Sequence, residues 1–285
     1  MPATPTDITI HPVSGALGAE ITGVDLSSLN DADFETVHQA LLNHEVIFVR
    51  DQQLTPTQLV AFASRFGELD VHPIVNAMDG HPEVVRAWKP AGESASFGTG
   101  WHSDNSFFEC PSLGTVLYGV VIPQYGGDTL FASMGRAYEQ LSDTMKAWLE
   151  GMTAVHSAAA AYDPKTTGKD KYEGKAAITY RFSETIYEEV EHPVARTHPE
   201  TGRKSLFVNQ MFTQRIVGLE RAESAALLSF LYDHCSKLDF TCRFRWQPGS
   251  VAVWDNRCVQ HYALDDYQEF ERDMHRVTIQ GDRPG

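Results

Sequence analysis

The sequence predicts a mostly β protein, a sandwich or barrel with helices between its strands. From about residue 83 onward, short runs of β-prone residues alternate with turns that contain glycine, proline and charged residues. Many short strands separated by turn signals are typical of sandwiches and barrels. Aromatic residues make up 11% of the chain and include 15 phenylalanines, which indicates a dense apolar interior. Because β-rich folds of 285 residues are often one domain, we expect a single domain over residues 1–285.

The N-terminal third predicts mixed α and β structure. Strands are predicted at the short alternating runs ITIHPV and AEITGVDL, and a buried strand at EVIFVRD. Asn30 or Asp31 can cap a helix that runs through DADFETVHQALLNH. A second helix is predicted from Thr55 and Pro56, because a capping hydroxyl precedes a proline at the first helical position. This helix is expected to end at Gly67.

The rest of the chain predicts strands interrupted by helices. Helices are expected at MGRAYEQLS, at SDTMKAWLEG with Ser142 as its cap, and at ERAESAALLSFLYDHC. Residues 158–190 are polar, rich in lysine and poorly periodic, so they form either a surface loop or a mobile lid over a site. The predicted strands are EVVRAW, GTVLYGVVI, DTLFAS, KSLFVNQ, FTCRFRW, SVAVWDN and MHRVTIQG.

Composition and charge argue against several classes of function. The formal net charge is −15 without a basic cluster, and so acidic a surface repels nucleic acid. The first residues lack the basic and apolar regions of a signal peptide, and no apolar run approaches the length of a membrane span. We therefore expect a cytoplasmic protein with no nucleic-acid or membrane partner. The cysteines are scattered along the chain, which fits reduced thiols in the cytoplasm. They are Cys110, Cys235, Cys242 and Cys258.

The stretch GWHSDN, residues 100–105, places an imidazole two residues before a carboxylate. Residues i and i+2 of a strand point to the same face, so an extended stretch would put His102 and Asp104 side by side. These side chains are two of the three ligands of the 2-His-1-carboxylate site of non-heme iron enzymes. The pattern is weak alone, because composition supplies on the order of one such tripeptide by chance. Among 12 histidines, only His102 begins one.

The C-terminal segment supplies a second histidine and two arginines. His261 follows the apolar run SVAVWDN, Arg272 comes eleven residues later, and Arg276 four residues after that. If RDMHRVTIQ is a strand, both arginines point to one face. Two guanidinium groups inside a barrel are very costly unless they meet anions, so they predict one or two buried acidic ligands. The planar guanidinium suits a carboxylate because it binds both oxygens at once.

A glycine pair precedes another polar residue. Gly126 and Gly127 can adopt positive φ and form a tight turn. Thr129 then begins a predicted strand, where its hydroxyl can help to bind a carboxylate. Alone, this segment is typical of an ordinary hairpin.

The order of these motifs resembles the taurine dioxygenase family of iron(II)/2-oxoglutarate-dependent dioxygenases. The shared order is His-x-Asp, Gly-Gly-Asp-Thr, Trp-Asp-Asn-Arg with a distal histidine, and an arginine eleven residues beyond it. The resemblance implies a double-stranded β-helix, a cupin-like jelly roll with helices packed outside. It extends nearly end to end and includes GAEITGVDL, FGELDVHP, WHSDNSFFE, GGDTLFASMGRAYEQL, HPETGRKSLFVNQMFTQRI and WDNRCVQHYALDDY.

The resemblance also implies the catalytic centre. His102, Asp104 and His261 would bind iron(II), which leaves three positions for the cosubstrate 2-oxoglutarate and for O2. The distal carboxylate of 2-oxoglutarate would contact Arg272 and Thr129. The expected activity is hydroxylation of a small organic molecule, with succinate and CO2 as coproducts. Family members are commonly dimers or tetramers, so a homo-oligomer is expected.

Arg276 is then available for the substrate, and the resemblance adds His72, Asn105 and Phe212 to the substrate site. Several matching positions differ from taurine dioxygenase. Val75, Gly98 and Ala158 stand where that enzyme has a tyrosine, an asparagine and a phenylalanine, and Asn105 replaces a valine. These differences mostly remove bulk, which predicts a pocket for an organic anion larger than taurine. We expect an alkyl or aryl sulfonate, a sulfate ester, an aryloxyalkanoate or another carboxylic acid, with possible cleavage of a C–S or C–O bond.

Two alternatives remain open at the level of sequence. One is an oxygenase of the same family that hydroxylates or desaturates a natural product. The other is a barrel protein that binds a small acid without turnover. Motifs of hydrolases, P-loop enzymes and nicotinamide enzymes are missing from the sequence.

Overall fold

The computed structural model describes residues 8–71, 77–93, 98–163 and 184–285. The α-helices are α1 (Asp31–His44), α2 (Pro56–Ala63), α3 (Met134–Glu139), α4 (Asp143–Leu149), α5 (Ala159–Tyr162) and α6 (Arg221–Cys235), with 3-10 helices at Glu184–Tyr187 and Leu238–Phe240. The strands are β1 (Thr9–Pro12), β2 (Ala19–Thr22), β3 (Val46–Val49), β4 (Ala77–Met78), β5 (His81–Lys89), β6 (Gly114–Val121), β7 (Thr129–Ser133), β8 (Thr153–His156), β9 (Val190–Pro193), β10 (Ala195–Thr197), β11 (Lys204–Leu206), β12 (Thr213–Ile216), β13 (Thr241–Phe244), β14 (Val251–Asp255), β15 (Val259–Ala263) and β16 (Arg272–Ile279).

An eight-stranded sheet forms the centre of the described structure, in the order β1-β2-β3-β14-β6-β16-β5-β4. A three-stranded sheet, β13-β7-β15, packs against one of its faces. Smaller sheets are β12-β8-β9 and β10-β11. Every run that the sequence predicts as a strand contains an observed strand, and the mostly β architecture with flanking helices is confirmed.

The central sheet is apolar on both faces. Alternate side chains of a strand belong to two different cores, as β3 shows. In β3, Ile47 and Val49 pack with helices α1 and α2, whereas Val46 and Phe48 point toward the three-stranded sheet. The ring of Phe48 stacks on Phe244 of β13 at 4.0 Å between centroids. Since successive side chains of a strand point to opposite faces, one apolar run supplies two cores. Along β3, both faces of the eight-stranded sheet are therefore covered.

The predicted helix signals are confirmed with one correction. Asn30 caps α1 through a hydrogen bond from the Asp33 N–H, and Thr55 forms a capping box at the start of α2. Helix α2 ends at Ala63, so the prediction that it continues to Gly67 is wrong. After Ala63 the bonds shorten to i→i−3, as in Phe66 N–H to the Ala63 carbonyl at 3.1 Å, which closes the helix.

The segment 158–190 is only partly within the described residues. Its described ends contain the helices Ala159–Tyr162 and Glu184–Tyr187, and Ala158 and Ile186 are buried there in an apolar cluster. The lid hypothesis concerns residues 164–183, which lie outside the described residues. Among the helices that the structure describes, none has both the length and the apolar character that crossing a membrane requires.

Glu45 joins α1 to the central sheet in a strained conformation. Its φ is 67°, and its backbone bonds explain why a residue other than glycine tolerates this value. The Glu45 N–H donates to the Leu41 carbonyl, and the Glu45 carbonyl accepts from the Asp255 N–H at 3.0 Å. Burial raises the pKa of the Glu45 carboxyl to about 7, although a hydrogen bond from Ser133 and the charge of Arg203 lower it.

We predict that Glu45→Gln stabilises the protein increasingly as pH rises. The pKa is about 7 in the folded chain and 4.5 without burial, so the folded chain binds this proton more tightly. The free energy of unfolding of the unchanged protein therefore falls between pH 4.5 and 7, by up to about 3 kcal/mol, and the glutamine avoids this loss.

Urea unfolding of both proteins at pH 5 and pH 8 measures the difference. Glu139→Gln is the control, since Glu139 is half-exposed. The difference in free energy of unfolding between this variant and the unchanged protein should be the same at both pH values. A stability difference for Glu45→Gln that stays constant with pH would contradict the prediction.

Candidate metal centre and arginine pair

A backbone bridge brings the two predicted histidines together. The His261 N–H donates to the His102 carbonyl at 2.8 Å, and the His102 N–H donates back to the His261 carbonyl at 3.2 Å. The GWHSDN stretch is not extended throughout, because only His102 forms a bridge and Asp104 begins a turn. Asn105, with a φ of 55°, sends the chain in a new direction. His261 itself lies within β15, directly in the three-stranded sheet.

Despite this turn, the three predicted ligands converge. The Oδ1 atom of Asp104 lies 3.6 Å from His102 Nε2 and 3.7 Å from His261 Nε2. One ligand atom from each residue lies within 4.8 Å of the others, and all three side chains are buried. This is a 2-His-1-carboxylate arrangement that one metal ion can bridge.

The protonation states in this cluster suit metal binding. His102 Nδ1 donates to the Gly100 carbonyl at 2.8 Å, which leaves the Nε2 lone pair for a metal. Burial and the neighbouring His102 lower the pKa of His261 to about 3, so its ring is neutral at pH 7. For Asp104, burial alone would raise the pKa, but the positive charge of Arg276 holds it well below its usual range. Two neutral imidazoles and one carboxylate are the forms that bind a divalent ion.

Arg272 is a buried cation at the start of β16, where the sequence predicts an anion. Its Nε atom has no hydrogen-bond partner among the described residues, and its Nη2 reaches the Gly127 carbonyl at a long 3.4 Å. The guanidinium lies 6.0 Å from the ring of Trp246, whose Nε1 donates to Thr129 Oγ1 at 2.9 Å. Arg272 and Thr129 are therefore both neighbours of the Trp246 side chain. A buried guanidinium with an unused donor fits a carboxylate ligand.

The glycine turn makes room for this arginine. Gly126 and Gly127 have φ values of 77° and 69°, as the sequence predicts. A Cβ on Gly127 would lie 3.3 Å from Arg272 Nε and 3.1 Å from the ring of Tyr267. The turn is held by Asp266, whose carboxylate accepts from the Gly127 N–H at 2.7 Å.

Arg276 points to the same cluster as the predicted metal ligands. Its Nη2 contacts Asp104 Oδ1 at 2.9 Å, and its side chain is buried. Since Met274 between the two arginines belongs to the core between the two main sheets, Arg272 and Arg276 occupy the inner face of β16, as the sequence predicts.

The remaining predicted substrate residues have different positions. Phe212 is buried 6.1 Å from the His102 ring, between ring centroids, in an apolar cluster that includes Phe107 and Ala158. Gly98 also faces His102, since a Cβ there would lie 3.6 Å from His102 Cε1. The amide of Asn105 donates to Ser112 Oγ at 2.9 Å. His72 and Val75 lie outside the described residues.

Sequence reasoning missed the residues that surround the predicted ones. Trp246 and Tyr267 flank Arg272, and Thr115 and Asn256 bond the Asp104 carboxylate. Asn256 lies in the Trp-Asp-Asn-Arg motif, and that position was the available signal. Tyr267 ends the quoted motif WDNRCVQHYALDDY, and Trp246 and Thr115 lie in the predicted strands FTCRFRW and GTVLYGVVI, but nothing in those runs assigns the three residues to a site.

A second cluster of metal-ligating types is a hydrogen-bonded structural network. It contains His198, Asp255 and Cys258. The N–H groups of Glu200 and Thr201 donate to His198 Nδ1, so Nε2 carries the proton and donates to Asp255 at 2.9 Å. Both oxygens of Asp255 also accept from Arg257, at 2.8 and 2.6 Å. This imidazole has no lone pair left for a metal.

A β fold that holds two imidazoles and a carboxylate together, beside buried arginines, defines the class of non-heme oxygenases. The chain matches the family described as "Taurine catabolism dioxygenase TauD, TfdA family" over residues 9–278 and belongs to this family. The chain is thus a 2-oxoglutarate-dependent dioxygenase with the jelly-roll fold that the resemblance implied.

Similar proteins agree with this membership. The chain is 38% identical over 281 residues to an alpha-ketoglutarate-dependent sulfate ester dioxygenase of Pseudomonas putida, covering 98% of this chain and 91% of the relative. It is 37% identical over 278 residues to an alkylsulfatase of Acinetobacter baylyi, covering 96% of this chain and 86% of the relative. The crystal structure of a taurine dioxygenase from Burkholderia xenovorans superimposes with a TM-score of 0.82 at 37% identity, covering 98% of this chain and 91% of the other.

We predict that metal binding depends on the first cluster and not on the second. Asp104→Ala removes the charged ligand and should abolish binding of Mn(II), measured by calorimetry in anaerobic buffer. Cys258→Ala changes a residue of the second cluster and should bind Mn(II) as the unchanged protein does. Loss of binding in Cys258→Ala with retention in Asp104→Ala would reverse our assignment of the metal site.

Proposed function

We propose that the chain is an iron(II)- and 2-oxoglutarate-dependent dioxygenase that hydroxylates an organic anion larger than taurine, with a sulfate ester as the preferred candidate. The observation that carries this proposal is the convergence of His102, Asp104 and His261 beside two buried arginines. In the proposed centre these three residues bind iron, which suits two imidazoles and one carboxylate with open positions.

Arg272 and Thr129 are proposed to bind the distal carboxylate of 2-oxoglutarate. The unused Nε donor of Arg272 supports this role, because a buried donor without a partner is costly until an acceptor arrives. Trp246 supports Thr129, since its indole N–H donates to the threonine oxygen and leaves the hydroxyl hydrogen free for a carboxylate.

Arg276 is proposed to bind the anionic group of the substrate. It lies at the metal cluster and belongs to the same inner face as Arg272, so each arginine can receive one of two acids. His72 and Asn105 are proposed as further contacts. Phe212 provides an apolar wall next to His102, at 6.1 Å between ring centroids, which suits an alkyl or aryl group of the substrate.

Two features support a substrate larger than taurine. Gly98 has a φ of 78° and leaves the space next to His102 free of a side chain, and Ala158 is a small residue in the apolar wall. Two relatives are named for sulfate esters and alkyl sulfates, at 38% and 37% identity, which supports sulfate esters as the preferred candidate.

The bound metal, with 2-oxoglutarate and O2, supplies the oxidation that converts a substrate C–H into C–OH and yields succinate and CO2. The protein holds the substrate anion at Arg276 and its apolar part against Phe212, and so determines which C–H faces the metal. If that carbon bears the ester oxygen, the hydroxylated product is a hemiacetal sulfate. It breaks its C–O bond to release an aldehyde and hydrogen sulfate.

The proposal includes one dioxygenase domain over residues 1–285. Strands from Thr9 to Ile279 share the eight-stranded sheet, so both ends of the described chain contribute to one structure. A homo-oligomer and a cytoplasmic location stay predictions.

We predict that the two arginines divide their ligands. Arg272→Ala should raise the KM for 2-oxoglutarate about 30-fold or more, because losing one partner of a buried charge pair costs about 2 kcal/mol or more. Its effect on the KM for the organic substrate should be several-fold smaller, and Arg276→Ala should show the reverse. Initial rates at saturating iron measure both constants. Equal effects of the two substitutions would contradict the division.

We predict that alkyl sulfates stimulate succinate release more strongly than taurine does. The assay contains iron(II), ascorbate, 2-oxoglutarate and a series of sulfate esters, sulfonates and aryloxy acids. Hexyl sulfate should yield sulfate and hexanal in amounts equal to succinate, and Asp104→Ala should yield none. Strong stimulation by taurine alone would contradict the larger pocket, and no succinate with any acid would contradict the enzyme assignment.

A further inference from the structure

We infer that Asn256 and Thr115 position Asp104 so that it binds the metal through Oδ1 alone. This inference rests on the proposed metal site and concerns how the protein keeps that site open. Both residues are buried and uncharged, and both donate hydrogen bonds to the Asp104 carboxylate.

The two oxygens of Asp104 have different surroundings. Oδ2 accepts a hydrogen bond from Thr115 Oγ1 at 2.8 Å and another from Asn256 Nδ2 at 3.3 Å. Oδ1 faces the Nε2 atoms of His102 and His261, at 3.6 and 3.7 Å, and has one further contact, with Arg276 Nη2 at 2.9 Å. A carboxylate oxygen that already accepts two hydrogen bonds has little capacity left for a metal ion. The hydrogen bonds thus select which oxygen becomes the ligand.

The Asn256 amide is oriented without ambiguity. Its Oδ1 accepts from the Asp104 N–H at 3.1 Å and from the Trp254 indole N–H at 3.0 Å, and both donors can only donate. Its Nδ2 must therefore be the group that donates to Asp104 Oδ2 and, at 3.2 Å, to Thr115 Oγ1. The amide contacts the backbone and the carboxylate of Asp104 together, so it orients the side chain relative to its own main chain.

The turn after β14 fixes the position of Asn256. The Asn256 N–H donates to the Leu113 carbonyl at 2.8 Å, next to the strand that carries Thr115. The neighbouring Asp255 and Arg257 form a bidentate ion pair on the other side of the chain, and His198 bonds the same carboxylate. The bonds among Asp255, Arg257 and His198 thereby hold the turn rigid. Asn256, which lies in this turn, can then orient Asp104.

Monodentate binding has a consequence for the reaction. An octahedral metal with three single-atom protein ligands has three positions for cosubstrate and O2. A chelating Asp104 would occupy one of them. Removing the donors to Oδ2 should therefore weaken metal binding and change the coordination of the metal that still binds.

The test compares Thr115→Val with Thr115→Ser. Valine keeps the shape but lacks the hydroxyl, and serine restores it. We expect Thr115→Val to bind Mn(II) about 10- to 100-fold more weakly in anaerobic calorimetry, because loss of a group that orients a ligand typically has this effect. Thr115→Ser should bind nearly as tightly as the unchanged protein. The visible absorption of the Co(II)-loaded protein should change in Thr115→Val and return in Thr115→Ser.

Thr278→Val is the matched control, since Thr278 pairs with Thr115 across the strands and makes no hydrogen bond to Asp104. It should leave Mn(II) affinity within about two-fold of the unchanged protein. If Thr115→Val does not fold, Asn256→Ala tests the same donor set.

The outcomes separate this inference from the proposed function. Unchanged affinity and Co(II) absorption in Thr115→Val, while the unchanged protein binds metal and Asp104→Ala does not, would overturn the positioning role alone. Failure of the unchanged protein to bind metal would overturn the metal site itself. Equal weakening in Thr278→Val would show a general packing effect and would also overturn the inference.

Discussion

The structure of the site depends on the backbone bridge between His102 and His261. This pair of hydrogen bonds joins a segment outside the regular sheets to β15 and brings the imidazoles to 4.2 Å between ring centroids. Burial and the neighbouring His102 lower the pKa of His261, which leaves a neutral nitrogen on that ring for a metal. Because the bridge uses main-chain atoms, it does not depend on which side chains surround it.

Buried charge sets the second constraint. Asp104, Arg272 and Arg276 all lie inside the protein, where an isolated charge would be very costly. One carboxylate cannot balance two guanidinium groups, and the aromatic rings next to Arg272 offset only part of its cost. The site is therefore built to receive acids, which agrees with a keto acid cosubstrate and an anionic substrate.

Much of this could be predicted from residue types and their order. The buried strand at EVIFVRD, the caps at Asn30 and Thr55, and the glycines before Thr129 are local signals, and the structure bears them out. The end of α2 was misjudged, because hydrogen bonds from later residues decide where a helix stops, and the residue pattern left open whether the stretch through Asp104 is extended. Strands such as β8 and β12, which pack under helices, carry too short a pattern to be recognised.

The sequence by itself determined which chemistry is available: two imidazoles and a carboxylate for a metal, two arginines for acids, and an interior without room for unpaired charge. Only the tertiary structure decided which of these groups meet. His102 and His261 converge from distant parts of the chain, and Asn256 bonds Asp104 across 152 residues. Periodicity describes neighbours along the chain, whereas a contact at that separation depends on how sheets pack. For this reason, residue order indicated the ligands of the metal, but only packing revealed what orients them.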